Sequence, residues 1–466
     1  MTSVLTIPDI SAETGMPLPP PIEELDVYHE NGKGFLVGRN GDYIAMNNSE
    51  MRRHLLSLGY SREKRSPLSE VDQALHDIQF TKSVVYAGPL AGYSPGLREV
   101  CGNRILVTGA PKIIEPDPKV EWPVIRKLIE QMLCADQGRQ FPPFYGWLSV
   151  AYRSLRRREI SQGQALALAG PRACGKTLLQ QIIREILGGR EGNPYPYMIQ
   201  KTPFNRELFG AENLMFGDEV ASTSYTTRTQ FGAMLKQLVV NPTQRCHGKG
   251  REALTLDPFW RLTMSLNDET SNLEVLPPMY HDSIIDKIIL LMAVRPRMLE
   301  ESEWISRTRK QNWDLIAAEL PGFAAFLESY RIPAELVDGR FGVKYYHNPE
   351  LLLLLKTGAP ERRLLELIDM EKLYYATDPV TVVPQNGAPQ KLPPDTWVGS
   401  AAELERVLES RDAIRSAARR LLYYTSACGQ YLAALAREFP ERVRKESVRD
   451  GIQRYRLLPP RAGGQR

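Results

Sequence analysis

The apolar residues of this chain change period several times, and each change predicts an element. Ala165-Leu-Ala-Leu-Ala169 is a short unbroken apolar run, the pattern of a strand buried on both faces. A turn rich in glycine follows. Leu179, Ile182, Ile183 and Ile186 then recur at helical spacing until Gly188-Gly189 stops them. Asn213–Gly217 and Arg261–Leu266 read as two more strands, each running into polar residues. Between them, Leu238–Val240 and Ala253–Leu256 read as strand-like stretches bounding a basic, glycine-containing loop. Upstream, Ile125, Leu128, Ile129 and Met132 share one helical face, and Trp147, Leu148, Ala151 and Leu155 share another. Trp313–Tyr330 and Leu351–Tyr375 continue the helical pattern downstream.

The ends of the chain read differently. Gly34–Val37 and Tyr43–Met46 are strands joined by the hairpin signal Arg39-Asn-Gly41. Asn48 or Ser49 then caps a helix through Leu58, and Ile105–Val107 and Lys112–Ile114 suggest more strand. At the other end, helices over Ala401–Glu409, Asp412–Tyr424 and Gln430–Phe439 precede short strands at Arg442–Arg444 and Gln453–Leu457. The expected fold is α/β. A parallel-sheet core at 162–300 is flanked by helical segments at 119–161 and 301–376. A flexible leader (1–23) and a small α+β unit (24–118) come before. A proline-rich linker (377–396) and a basic, winged-helix-like domain (397–466) come after.

Composition alters this picture at two points. The net charge of the 466 residues is only +4, yet 397–466 holds 14 lysines and arginines against 8 acids, a net of +6. Positive charge is thus concentrated at the C-terminal end, where it suits phosphate contacts. The five cysteines, Cys101, Cys134, Cys174, Cys246 and Cys428, are scattered with no C-x-x-C pair, which argues against a disulfide framework or a zinc site. No apolar run has the length of a membrane span, and no secretory signal is evident, so a cytoplasmic location in a bacterial host or phage-infected cell is expected.

The chemistry centres on the turn after the first core strand. Gly170, Pro171, Arg172, Ala173, Cys174, Gly175, Lys176 and Thr177 form G-x-x-x-x-G-K-T between a strand and a helix, the phosphate-loop pattern in its proper context. Glycines let backbone N–H groups approach phosphate oxygens, and the helix N-terminus adds its positive end. Lys176 would reach the β- and γ-phosphates of ATP, and the Thr177 hydroxyl would bind Mg²⁺. The strand Asn213–Gly217 runs into Asp218 and Glu219, suited to the metal shell and to polarising water respectively. The strand at 261–266 runs into Asn267, whose neutral amide can hydrogen-bond water or the γ-phosphate. The loop from Gln244 to Arg251 offers His247, Lys249 and Arg251 to a sugar-phosphate backbone.

Phosphate loop, Asp218-Glu219 strand, basic hairpin and Ser265-Leu-Asn267 strand, in this order and at short spacing, resemble superfamily 3 helicases. The likeness is to the helicase part of phage, plasmid and poxvirus-type primase-helicases. It spans about 162–297 and weakens over the helical flanks, and the C-terminal unit is similar to that group's winged-helix tail. The resemblance implies an AAA+-like core, a ring that is usually a hexamer, and ATP-driven translocation on single-stranded or forked DNA. It makes Lys176 and Thr177 the Walker A pair, Asp218 and Glu219 the Walker B pair, Asn267 the sensor, and Lys249 with His247 the pore cations. Where the family places an inter-subunit arginine, this chain has Lys287, with Arg295 and Arg297 as substitutes nearby. No primase pattern is found in residues 1–120, so a primase or polymerase is expected as a separate partner. Two other readings share part of these features: an AAA+ ATPase that remodels or loads proteins, and a DNA-binding scaffold with an inactive ATP site.

Overall fold

The computed structural model describes residues 19–30, 33–64, 67–217, 225–273, 275–277, 282–358, 360–375, 381–382, 390–391, 396–423, 425–446, 448 and 451–460. The chain divides into two units, 1–348 and 349–466.

In the first unit, five short apolar segments align as one parallel sheet. They are β1 (Ala165–Ala169), β2 (Glu191–Gly192), β3 (Asn213–Gly217), β4 (Arg261–Leu266) and β5 (Ile288–Met292), in the spatial order β5-β1-β4-β3-β2. All pairings are parallel: Ala165 lies beside Ile288, Leu166 beside Thr263, and Asn213 beside Arg261. Every residue of β1 is fully buried, which explains its unbroken apolar pattern. Helix α1 (Lys176–Ile186) and helix α2 (Tyr225–Val240) connect these strands. In α1, Leu179, Ile182, Ile183 and Ile186 face the core, as their spacing predicts. Leu238–Val240, expected as strand, ends α2 instead, where Phe231, Leu235, Leu238 and Val239 make one buried helical stripe. Three apolar residues alone do not distinguish the two periods.

Helices Pro123–Met132, Phe141–Arg157 and Arg309–Ser329 pack with β1, β5 and α1 around one core that includes Trp122, Trp147, Ile183 and Phe323. Lys112–Ile114, expected as strand, lies outside any sheet. Ile113 and Ile114 pack against this core, and the Ile114 carbonyl accepts the Tyr152 hydroxyl at 2.6 Å.

The N-terminal part of this unit has two small sheets. One orders Asp42–Met46, Gly34–Arg39, Val27–Glu30 and Ser83–Val84; the other orders Tyr86–Gly88, Asn103–Val107 and Gly96–Val100. The hairpin turn at Asn40 and Gly41 takes φ of 54° and 89°, the left-handed pair that the Asn-Gly signal anticipates. Asn47, one residue earlier than expected, caps the following helix. Its side chain accepts from Ser49 N and Glu50 N, and Glu50 accepts Asn47 N in return.

In the second unit, helices Pro349–Gly358 and Pro360–Met370 precede a strand, Trp397–Ser400, that the sequence pattern did not reveal. Helices Ala401–Ser410, Arg415–Leu421 and Ala427–Glu438 follow, then strands Val443–Lys445 and Arg454–Leu457. The last strand sits between the other two, antiparallel to both. Leu364 and Ile368 share a core with Leu404, Leu432 and Leu457, so the helix at 360–370 belongs with the C-terminal residues. The leader, through residue 18, and most of the proline-rich segment lie outside the described residues.

Candidate functional site

The loop after β1 is shaped by close approach. Gly170 donates its N–H to the Leu266 carbonyl at 3.1 Å, and a Cβ there would stand 2.0 Å from the Ala293 carbonyl oxygen. Ala173 and Gly175 take φ of 61° and 91°, left-handed turns that orient successive N–H groups into a concave nest. Gly175 is the N-cap of α1 and brings no side-chain acceptor to the first turn. The helix therefore starts with N–H groups that its own cap leaves available to an anion. Pro171, Arg172, Ala173 and Thr177 are exposed around this nest, while Cys174 is fully buried. Burial pushes the Cys174 thiol above its usual range, against the pull of the Lys176 ammonium, which leaves it a poor nucleophile.

Lys176 is only 5% exposed. Its Nζ donates to the Gly170 carbonyl at 2.7 Å, the Pro171 carbonyl at 2.9 Å and Asn267 Oδ1 at 3.3 Å. Lys176 and Asn267 are 91 positions apart in the chain and meet because β1 and β4 are neighbours. Their meeting lies at the carboxyl ends of parallel strands, where α/β sheets hold their ligands. No carboxylate pairs with Lys176 among the described residues. The donor set, a buried ammonium beside an uncapped helix N-terminus, fits a phosphate group.

Asp218 and Glu219 lie outside the described residues. The strand that leads to them is well defined. Gly217 is paired with Ser265, two positions before Asn267, and a Cβ on Gly217 would stand 2.1 Å from Ser265 Oγ. Gln180 ties α1 to this edge by donating to the Phe216 carbonyl at 3.3 Å and to Thr263 Oγ1 at 3.4 Å. Sequence reasoning missed Gly217 and Gln180. Nothing in a lone glycine or a helical glutamine signals such an approach before the neighbouring strand is known.

Lys287 lies at the opposite end of the sheet. It precedes β5, its carbonyl accepts Ala165 N at 2.9 Å, and its ammonium is ion-paired to Asp286 with the residue 6% exposed. Arg295 and Arg297 instead follow β5 on the phosphate-loop side, and both are exposed. Arg295 pairs with Glu300 at 3.0 Å. Arg297 begins a short turn, Arg297–Glu300, whose Leu299 Cδ1 would be 3.2 Å from a Cβ on Gly175. That turn therefore approaches the start of α1 through Leu299.

The basic loop is a true hairpin, with Gln244–Cys246 antiparallel to Leu254–Leu256. Its three cations have different surroundings. Lys249 is exposed. His247 is half-buried, its ring 5.1 Å from Phe204 and its backbone bonded to Asn205. Arg251 is 2.7 Å from the Glu30 carboxylate, which also holds Arg206 at 2.6 Å. Among the described residues no cluster of three or more His, Cys, Asp or Glu could hold a metal, and no helix is long and apolar enough to cross a membrane.

No protein-family model matches the chain, and no curated protein does either. Solved structures do. The apo structure of the NrS-1 C-terminal region aligns with a TM-score of 0.52 at 14% identity, covering 94% of this chain and 96% of that one. A second form of that region gives 0.51 at 12% identity, with coverages of 94% and 97%. A JCV helicase structure aligns over 54% of this chain and 70% of its own at 13% identity, with a TM-score of 0.26 that carries no weight. The chain is similar in fold, over nearly its whole length, to the NrS-1 C-terminal region.

Proposed function

We propose that this chain is an ATP-dependent DNA helicase of superfamily 3 type, from a phage, plasmid or other mobile element, working as a ring of copies in the cytoplasm. The observation that carries the reading is the Lys176–Asn267 pair at the head of an uncapped helix, on neighbouring strands of a sheet ordered β5-β1-β4-β3-β2. In this reading Lys176 and the N–H groups of 173–177 hold the phosphates of ATP. Asn267 orients water or the γ-phosphate, and Glu219 polarises the water. Thr177 and Asp218 would hold Mg²⁺, which supplies charge neutralisation on the phosphates. Lys249 is the foremost DNA-tracking cation, because it is exposed where Arg251 is held by Glu30. The inter-subunit role is proposed for Lys287, Arg295 or Arg297, of which Lys287 and Arg295 are ion-paired to Asp286 and Glu300 and Arg297 is exposed. A primase or polymerase is a proposed partner.

The C-terminal unit is proposed as a winged helix that contacts DNA. Its order of helix, strand, three helices and two strands, with the first strand beside the last, supports this. Two of the positions at the turn of its final hairpin, 449 and 450, lie outside the described residues.

The test is strand displacement on a forked duplex with ATP and Mg²⁺, comparing wild type with Lys176→Ala. Unwinding by wild type alone is the expected result. The docking of Arg251 on Glu30 reduces the cations that the hairpin can offer to DNA and favours, as the second reading, a protein-remodelling ATPase. Hydrolysis that is indifferent to DNA, with no unwinding, would select it.

A further inference from the structure

A groove of about 670 Å³ opens between the N-terminal part of the first unit and the basic hairpin. One wall carries Lys33 and the other Lys249, both exposed, and neither ammonium has an ion-pair partner among the described residues. The floor is a fixed ion cluster. Glu30, whose side chain is 9% exposed, accepts both Arg206 and Arg251, and Arg206 also donates to the Ala87 carbonyl at 2.8 Å and lies over the Tyr86 ring at 4.3 Å. Phe204 offers a half-buried ring at the same groove, braced by His247. Glu207 is the second carboxylate of the lining and is exposed.

We infer that this groove is a second binding site for single-stranded nucleic acid, formed jointly by the N-terminal part and the hairpin. The inference rests on the DNA reading above and extends it to residues that no phosphate-loop or hairpin motif includes. The chemistry is that of a strand: cations on both walls for successive phosphates, and an aromatic edge for a base. Its size is that of an ordinary ligand cleft, room for a short stretch of strand. Arg206 and Arg251 are tied to Glu30, so the strand-binding cations of the groove are Lys33 and Lys249. Glu30 thereby acts as a positioning residue that joins the N-terminal part to the hairpin.

The experiment uses the full chain and a fluorescently labelled oligothymidylate, with anisotropy read at several salt concentrations. Lys33→Glu is expected to weaken binding by about tenfold at low salt and to lower the salt slope by about 0.7 for each phosphate it no longer neutralises. Glu207→Lys is expected to strengthen binding, and as a gain at an exposed position it decides the matter even where Lys33→Glu folds poorly. If Lys249→Ala weakens binding while Lys33→Glu and Glu207→Lys leave it unchanged, the groove is overturned and the DNA reading stands. If wild type binds no oligonucleotide, both are overturned. If millimolar inorganic phosphate abolishes the Lys33-dependent part of binding, the groove is a small-anion site and the inference fails.

Discussion

Two buried cations lie at opposite ends of the same sheet's strands, and they differ in what surrounds them. Lys176 sits where strands end; Arg261 sits where β4 begins. Neither has a carboxylate partner among the described residues. Arg261 is enclosed. It donates to the Ser161 carbonyl at 2.8 Å, the Trp260 carbonyl at 2.9 Å and Ser161 Oγ at 3.1 Å, and it lies over the Phe259 ring. Burial lowers its ordinarily very high pKa to about 9, so it remains charged near neutrality. Lys176 instead lies beside a nest of N–H groups and exposed loop residues. A buried cation is therefore a poor marker of function by itself. An open set of further donors around it makes an anion site, and closure by carbonyls makes a staple. His347 shows a third solution. Half-buried against β5 with Nε2 3.0 Å from the Ile288 carbonyl, it gives up its charge, its pKa lowered by desolvation to about 4.

Each side of the comparison can be broken by substitution. The largest effect is expected for Lys176→Ala, a loss of ATP hydrolysis of about 10³-fold with the melting temperature little changed. Phosphate release and thermal melting measured together check it, and a variant that unfolds would place Lys176 with the staples. Arg261→Leu should show the reverse. It strands two carbonyls and should cost about 3 kcal/mol in denaturant unfolding, with nucleotide affinity per folded molecule retained. Asn267→Ala should lower the rate about 10²-fold while ATP still binds, read as kcat against KM. A parallel loss of binding would mean that Asn267 serves only to hold Lys176.

The smallest effect concerns His347. Its folded pKa lies below the ordinary 6.5, so the unfolded chain takes up the proton first as the solution is acidified. Its contribution to stability is full above about pH 6.5 and is lost as pH falls toward about 4. The loss should be about 2 kcal/mol between about pH 7 and about pH 5, and His347→Gln should flatten that part of the profile. An unchanged profile in that variant would assign the acid sensitivity to other groups.

The phosphate loop was legible because its pattern names both residue types and context. The unbroken apolar run before Gly170 and the helical spacing after Lys176 could each be read without knowledge of any neighbour. Misread elements were short and flanked by strong packing. Leu238–Val240 became the end of a helix, and Lys112–Ile114 a stretch outside any sheet, with the Ile114 carbonyl accepting the Tyr152 hydroxyl. Trp397–Ser400 is a strand only because Arg454–Leu457 pairs with it across 53 intervening residues. Even the capping residue shifted by one, since Asn47 and Glu50 satisfy each other reciprocally and Asn48 has no such partner at the right spacing.

By itself the sequence determined the glycine-containing turn between β1 and α1, the parallel α/β core and the accumulation of positive charge near the C-terminus. These depend on local patterns: backbone freedom at glycine, helical or strand period, and composition. Only the tertiary structure decided which distant groups share a site. It brought Asn267 to Lys176, set Lys287 at the far end of the sheet beside Ala165, and tied Arg251 of the hairpin to Glu30. Strand order sets those distances, and strand order follows from how the whole set of apolar faces can be buried at once. No single segment carries that information.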